Sequence, residues 1–272
     1  MYAFELKRPD TLEEALDLVA AEDSQPLAGG QTLIPTLKAR LAMPERLVSL
    51  RGVAELRGID RSRDGALVIR AATPHAVVAQ EVAETFPALA ALAANIGDPA
   101  VRNRGTIGGS LANNDPSACY PAAALACEAT IVTARREIPA SDYFEGIFTT
   151  ALEEDELITE VRFPVPKAAR YIKFAQAASR FALTGVFVAR FDAGSRVAVT
   201  GASQNGVFRW SEAEAALDAD CMPDAIEALS PPDEPMIDDM HGSGEYRAEL
   251  AKVLTARAVA TIAGSSGASG LS

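Results

Sequence analysis

The chain holds 272 residues, 49% hydrophobic and 23% charged. It is long enough to bury roughly 70% of its extended surface and too apolar for global disorder. Its 25 basic against 37 acidic residues leave a net charge of −12 with no basic block, which speaks against a nucleic-acid backbone as partner. Three cysteines and two histidines exclude a disulfide framework, a four-thiolate iron–sulfur cluster within the chain and a His-rich zinc site. A redox centre on this chain must therefore be an organic cofactor. The Met1–Lys7 start is too short and polar for a signal peptide, and no long uncharged apolar run follows, so a soluble cytoplasmic protein without a transmembrane segment is expected.

In chain order, Tyr2, Phe4 and Leu6 alternate with Ala3, Glu5 and Lys7 as in an edge strand. Thr11 and Glu14 then form a capping box before a helix with Leu12, Ala15, Leu16 and Val19 on one face. Gln25–Ala28 reads as an extended run ending at Gly29-Gly30, after which Thr32 is placed to cap a helix carrying Leu33, Ile34 and Leu37. Arg46–Leu50 and Ala66–Ala71 are strands, and His75–Gln80 and Glu84–Asn95 short helices. The stretch from Gly97 to Pro116 is dense in Gly, Asn, Asp and Pro, marking a functional loop or a long crossover. Ser117–Cys127 is a buried helix; Ala129–Thr133 and Leu157–Phe163 are strands around an irregular Asp142–Glu154 region, and Pro164-Val-Pro166 is a boundary. Beyond it Tyr171–Ala175, Gly185–Phe191 and Arg196–Ala202 read as extended, although Phe181–Arg190 also fits a helix. Ser211–Asp220 and Pro223–Leu229 are helical, Pro231–Asp239 is a turn or connection, Glu245–Ala263 is a final helix, and Gly264–Ser272 is a Gly/Ser tail expected to fray.

Two glycine loops stand out, Gly29-Gly30 and Gly105-Thr-Ile-Gly-Gly-Ser110. Glycines allow tight turns and close approach to an anion, and successive amides form an electropositive concavity. A diphosphate held between two such loops, with hydroxyls from Thr32, Thr106 and Ser110, is one reading; turns with helix caps is the other. Neither loop is G-x-G-x-x-G, and G-x-x-x-x-G-K-[ST] is absent, so a nucleotide here is not held in the Rossmann or P-loop manner. Asn113, Asn114 and Asp115 suit either ligand hydrogen bonds or capping, and Arg102 and Arg104 either phosphate charge or solvated surface. His75 is read as a structural histidine, or as a cofactor contact or proton relay, Cys119 and Cys127 as core, and Lys173 as an exposed lysine or one reaching back to a cofactor.

Taken together, Pro26-Leu-Ala-Gly-Gly-Gln-Thr-Leu-Ile-Pro35 and Ile96-Gly-Asp-Pro-Ala-Val-Arg-Asn-Arg-Gly-Thr-Ile-Gly-Gly-Ser-Leu-Ala-Asn-Asn-Asp-Pro116 resemble the FAD-binding medium subunit of molybdenum hydroxylases, the group with aerobic carbon monoxide dehydrogenase and bacterial xanthine dehydrogenase-like enzymes. The likeness runs from Tyr2 to about Ala263. It implies an α+β fold: a two-lobed FAD-binding domain of the vanillyl-alcohol-oxidase/PCMH type over 1–165, with lobes about 1–57 and 58–165, then a smaller α+β domain over 166–264 and a flexible tail over 265–272. Carried over residue by residue, it implies diphosphate contacts at Ala28, Gly29, Gly30, Gln31 and Thr32, and at Thr106, Ile107, Gly108, Gly109 and Ser110. Asp115 resembles the family's acidic residue near the ribose, Lys173 its lysine at the entry to the last domain, and Thr73 and His75 its polar pair after the third strand. At Ala177-Ala-Ser-Arg-Phe-Ala182 the chain departs from members that carry an arginine and then an aspartate before Phe-Ala, and no contact is carried over there.

The resemblance implies noncovalent FAD as the sole redox group on this chain and no catalytic residue or metal of its own. Molybdopterin is expected on a large partner subunit and [2Fe–2S] clusters on a small one, in a dimer of heterotrimers. The flavin subunit would accept electrons from the clusters and pass them to an external acceptor, with peripheral attachment to the inner face of the membrane left open to the complex. Two other classes compete: a self-contained FAD oxidase or dehydrogenase with its own small substrate, for which roughly 100 residues after Pro166 make a small cap domain, and a flavin-free scaffold or sensor, against which the intact glycine loops weigh.

Overall fold

A computed structural model of the chain describes residues 1–268. The first unit is β1 (Glu5–Lys7), α1 (Leu12–Val19), β2 (Ser24–Leu27), α2 (Leu33–Lys38) and β3 (Arg46–Ser49), with the strands parallel in the order β1-β3-β2. The capping box forms: Glu14 N donates to Thr11 Oγ1 at 3.2 Å, and Asp10 N donates to Glu14 Oε2 at 3.1 Å. Ala15 and Val19 turn inward onto Val48 and Leu50. The expected first strand is shorter, since Tyr2 and Phe4 precede the paired residues.

The second unit contains β4 (Ile59–Arg61), β5 (Leu67–Arg70), α3 (His75–Glu81), α4 (Pro87–Ala94), α5 (Pro99–Arg102), α6 (Ile107–Asn113), α7 (Tyr120–Ala126), β6 (Thr130–Thr133), β7 (Glu137–Pro139), α8 (Ala140–Tyr143), β8 (Phe144–Gly146), β9 (Thr149–Thr150) and β10 (Ile158–Phe163). Its antiparallel sheet has the order β4-β5-β10-β6-β7. The Asp142–Glu154 stretch expected to be irregular carries the β8–β9 hairpin, and the Gly97–Pro116 stretch is largely helical. Elements of two to four residues are too short to show a period, which is why β4, β7, β8, β9 and α5 leave little trace in the sequence.

The third unit is a meander, β11 (Ala168–Ala175), β12 (Ala182–Phe191), β13 (Gly194–Ser203) and β14 (Gly206–Arg209), followed by α9 (Ser211–Ala219), α10 (Pro223–Glu227) and α11 (Gly244–Ala268). The segment open to a helical reading, Phe181–Arg190, is strand from Ala182 onward. β12 is buried on both faces from Ala182 to Ala189, so its apolar run has no alternation to reveal the period. One face sends Tyr171, Phe187, Ala189 and Ala198 into the core of the second unit, with Phe187 edge-on to Phe86 at 6.1 Å, while Val186, Val188, Val197 and Val199 pack with residues of α9–α11. Gly264–Ala268, expected to fray, continues α11; the rest of that tail, 269–272, lies outside the described residues.

Thr200 and Gly201 of β13 fasten the chain just before α7. Thr200 Oγ1 donates to the Pro116 and Ala118 carbonyls at 3.0 and 2.8 Å, and Gly201 N to Pro116 O at 2.8 Å. Among the described residues no helix is long and apolar enough to cross a membrane.

Candidate functional site

β2 ends at Leu27 and the chain turns through Ala28–Thr32 into α2. Gly30 has φ +69°, a left-handed conformation that a side chain disfavours. The loop is held by Ile34 N donating to Gly30 O at 3.1 Å and by Gln31 Nε2 donating to Gly29 O at 3.2 Å. The four consecutive amides Gly29–Thr32 donate to no group among the described residues, and Gln31 and Thr32 are exposed. Thr32 does not act as the expected cap: its backbone is already helical and its hydroxyl makes no capping bond, so that hydroxyl stays available.

The second loop lies directly against the first. A Cβ on Gly29 would sit 2.2 Å from Arg104 O and 2.6 Å from the Gly105 Cα, and one on Gly109 would lie 3.6 Å from the Ala28 Cβ. Two glycine segments some 75 positions apart thus share one surface, and Gly29 must lack a side chain for them to do so. The amides of the second loop are engaged inside the chain: Ile107 N to Thr73 O at 3.3 Å, Gly108 N to Ala71 O at 2.9 Å, Gly109 N to Thr106 Oγ1 at 3.1 Å and Ser110 N to Thr106 O at 3.0 Å. Thr106 is therefore a true N-cap, and the outward groups of this loop are the Ser110 hydroxyl and the bare Cα of Gly109, both half-buried. The open donors belong to the first loop and the rigid wall to the second.

Behind the wall stand the other sequence candidates. Thr73 is buried, and its hydroxyl bridges the Gly58 amide and carbonyl, each at 3.1 Å. His75 is 4% exposed, donates its amide to Gly105 O at 2.9 Å and sets its ring against Gly105, where a Cβ would meet Nε2 at 2.6 Å. Its Nδ1 has no partner, Tyr120 lies 5.3 Å away between ring centroids, and burial, with the Arg102 charge second, pushes its pKa down to about 4. The imidazole is neutral at physiological pH and cannot supply positive charge. Lys173 Nζ donates to Asn95 O and Arg180 O, both at 2.8 Å, and lies 3.6 Å from Cys119 Sγ, so it ties α4 to the β11–β12 turn.

Asp115 Oδ1 accepts from Ser117 N at 2.8 Å, shaping the turn before α7. Arg102 donates through Nη1 to the Ile96 and Gly97 carbonyls, each at 3.0 Å, which fixes the loop feeding the second glycine segment. Asn114, open in the sequence between ligand hydrogen bonds and capping, ends α6 with φ +41° and is 2% exposed. Its Nδ2 donates to Gly146 O at 2.8 Å and Thr149 O at 2.9 Å, and its carbonyl accepts from Phe148 N at 3.0 Å. The Asn-Asn-Asp run was the available signal, since Asn tolerates the left-handed helix end. Among the described residues no group of three or more His, Cys, Asp or Glu could hold a metal.

A flavin dinucleotide fits what is present. Its diphosphate asks for open amides and close backbone approach, which Gly29–Thr32 offer beside the bare Cα of Gly109. The profile of the FAD binding domain in molybdopterin dehydrogenase matches residues 2–166. The chain is 33% identical to the carbon monoxide dehydrogenase medium chain of Afipia carboxidovorans, over 94% of this chain and 96% of that one. It is 35% identical to the nicotine 6-hydroxylase medium subunit of Paenarthrobacter nicotinovorans, over 92% and 94%. Among solved structures it is similar to a chain of the Cu,Mo-CO dehydrogenase, with TM-score 0.86, 32% identity and coverage of 94% and 96%. It is equally similar to a chain of quinoline 2-oxidoreductase from Pseudomonas putida 86, with TM-score 0.86, 30% identity and coverage of 97% and 98%. The chain belongs to the FAD-binding medium subunits of the molybdenum hydroxylases.

Proposed function

We propose that this protein is the electron-transfer flavoprotein of a heterotrimeric molybdenum hydroxylase, taking electrons from the [2Fe–2S] clusters of a small subunit and passing them to an external acceptor. The observation that carries it is the contact of the two glycine loops, with four unused amides on one and a rigid wall on the other. When bound, flavin accepts electrons one at a time and releases them singly or in pairs. Ala28, Gly29, Gly30, Gln31 and Thr32 would hold the diphosphate, with the Ser110 hydroxyl facing them and Thr106, Ile107, Gly108 and Gly109 keeping the wall in place. Thr73, His75, Asp115 and Lys173 each make bonds inside the chain and would position the cradle. Neither glycine loop contains Cys or His, which supports noncovalent attachment.

In this reading residues 1–165 form the flavin unit, with lobes about 1–57 and 58–165, and 166–264 the C-terminal domain. The β1-β3-β2 sheet, the five-stranded sheet and the β11–β14 meander support that division. A large molybdenum-cofactor subunit and a small [2Fe–2S] subunit complete the trimer, which would double and work in the cytoplasm or at the inner face of the membrane. Relatives named as medium chains support such partners. The test is anaerobic bleaching of the flavin's visible absorption by purines, aldehydes, N-heterocycles or carbon monoxide. Bleaching only in the three-chain complex is expected; rapid bleaching of the isolated chain would overturn the subunit role.

A further inference from the structure

Cys119 and Lys173 face each other across the seam between the second and third units. Cys119 stands immediately before α7, Lys173 lies in β11, and Lys173 Nζ is 3.6 Å from Cys119 Sγ. The same ammonium donates to Asn95 O and Arg180 O, both at 2.8 Å, so its nitrogen is held at the sulfur. Cys119 is 5% exposed and Lys173 half-buried, which puts the pair just under the surface. The other cysteines differ. Cys127 is wholly buried, and burial pushes its thiol up; Cys221 is half-buried in the connection between α9 and α10. Cysteines buried among apolar groups are inert, whereas one beside a lysine is of the reactive kind, the thiolate being the nucleophile.

A second group is aimed at the same sulfur. Tyr171, two residues before Lys173 on β11, is 5% exposed, and its hydroxyl has no hydrogen-bond partner. Burial, and then the neighbouring Cys119 sulfur, push this phenol up. Gly185, paired with Lys173 across β11 and β12, makes the room: a Cβ there would stand 2.7 Å from the Tyr171 oxygen. A buried hydroxyl without a partner is costly, and an oxygen added to the sulfur would give it an acceptor.

We propose that Cys119 and Lys173 form a peroxide-driven modification site, in which the sulfur is oxidised and then bonded to the lysine nitrogen. In the first step the Cys119 thiolate attacks hydrogen peroxide, so that an S–O bond forms and the O–O bond breaks. Sulfur gives up two electrons, and the hydroxide released takes a proton from the Lys173 ammonium and leaves as water. In the second step the free amine attacks the sulfenic sulfur: an S–N bond forms, the S–O bond breaks, and hydroxide departs with the amine's proton as a second water. One peroxide is thereby reduced to two waters, and the sulfenamide is two hydrogens lighter than the reduced pair. Tyr171 donates to the sulfenic oxygen between the steps. The bond ties α7 of the second unit to β11 of the third, and its formation does not depend on the electron-transfer reading above.

The test uses the full chain, reduced, treated with hydrogen peroxide and quenched by thiol alkylation. Intact mass and mapping of proteolytic peptides are read for the parent and for Lys173→Met, Tyr171→Phe and Cys221→Ser. In the parent the expected product is two hydrogens lighter and yields a peptide joining Cys119 to Lys173 that a dithiol reductant separates. It should form roughly tenfold faster than any oxidation of Cys221, and Cys221→Ser should match the parent. Lys173→Met should replace the link by a sulfenic acid on Cys119 that a 1,3-diketone traps, and Tyr171→Phe should slow the link about threefold. The parent alone decides where a variant folds poorly. Cys119 still open to alkylation when Cys221 is oxidised would overturn the proposal, as would Cys119 carried to sulfinic acid with the Lys173 amine free. An unchanged rate in Tyr171→Phe would overturn the part given to Tyr171.

Discussion

Gly29 and Gly105 meet with no room for a methyl group between them: a Cβ on Gly29 would stand 2.6 Å from the Gly105 Cα and 2.2 Å from the preceding carbonyl oxygen. Backbone on both sides leaves nothing flexible to yield. The contact joins the end of β2 to the entry of α6, so the site exists only while the first two units are docked.

A graded alanine series follows. Gly29→Ala should cost about 3 kcal/mol by forcing the loops apart and reduce FAD affinity at least tenfold. Gly30→Ala should cost roughly 1–2 kcal/mol from its left-handed backbone. Gly109→Ala, whose Cβ would meet only Thr106 Oγ1 at 3.0 Å and Ala28 Cβ at 3.6 Å, should cost about 1 kcal/mol. Urea midpoints and flavin titrations check the order. Equal losses at Gly29 and Gly109 would mean that the loops do not share a wall.

His75 gives the protein an acid sensitivity with a defined window. Its folded pKa of about 4 lies below the ordinary value of 6.5, because burial and then the Arg102 charge penalise the cation. The unfolded chain therefore binds more protons between these values, so the stability tied to neutral His75 is whole above pH 6.5 and falls as pH drops toward 4. The loss should reach roughly 3 kcal/mol by pH 4. Unfolding free energies of the parent and His75→Gln between pH 7 and 4 test it: the variant should show a shallower slope in that window. Parallel curves would refute the assignment.

Asn114 should matter to the β8–β9 hairpin more than its place in a loop suggests. Asn114→Ala leaves the Gly146 and Thr149 carbonyls without their donor and keeps a side chain at φ +41°, for an expected loss of about 2–3 kcal/mol. Asn114→Gly relieves the backbone but not the carbonyls and should cost less. Hydrogen exchange at Phe148, whose amide is held by Asn114 O, should speed up in Asn114→Ala. Unchanged protection there would show that the side chain is not the clamp.

Legibility in the sequence followed length and burial. α1 could be read because its capping box and one apolar face are local signals, and the glycine loops because few residue types can replace Gly29 and Gly30. β12 is legible only in part: Gly185–Phe191 reads as extended, but a helix over Phe181–Arg190 stays open, because strands buried on both faces lose the alternation that identifies them. At the site, the sequence marks which residues are special without showing where their donors go. Thr106 caps its helix and Thr32 does not, although both precede an apolar turn. The left-handed turn at Arg40, φ +60°, has no compositional signature.

Lys173 separates a positioning role from direct contact with the cofactor. Its ammonium holds Asn95 O and Arg180 O, joining α4 to the β11–β12 turn, with Cys119 Sγ at 3.6 Å. Both carbonyls belong to exposed residues, so water can replace the lysine in part. Lys173→Met, which keeps the stem and removes the donors, should therefore cost only about 1–2 kcal/mol. Exchange should quicken near Asn95 and Arg180, while FAD affinity should change less than threefold, because the open amides at Gly29–Thr32 are untouched. Lys173→Arg restores positive charge but not the compact three-donor geometry, so it should recover stability only partly. A drop in flavin affinity above tenfold in Lys173→Met at unchanged unfolding free energy would place the ammonium on the cofactor itself.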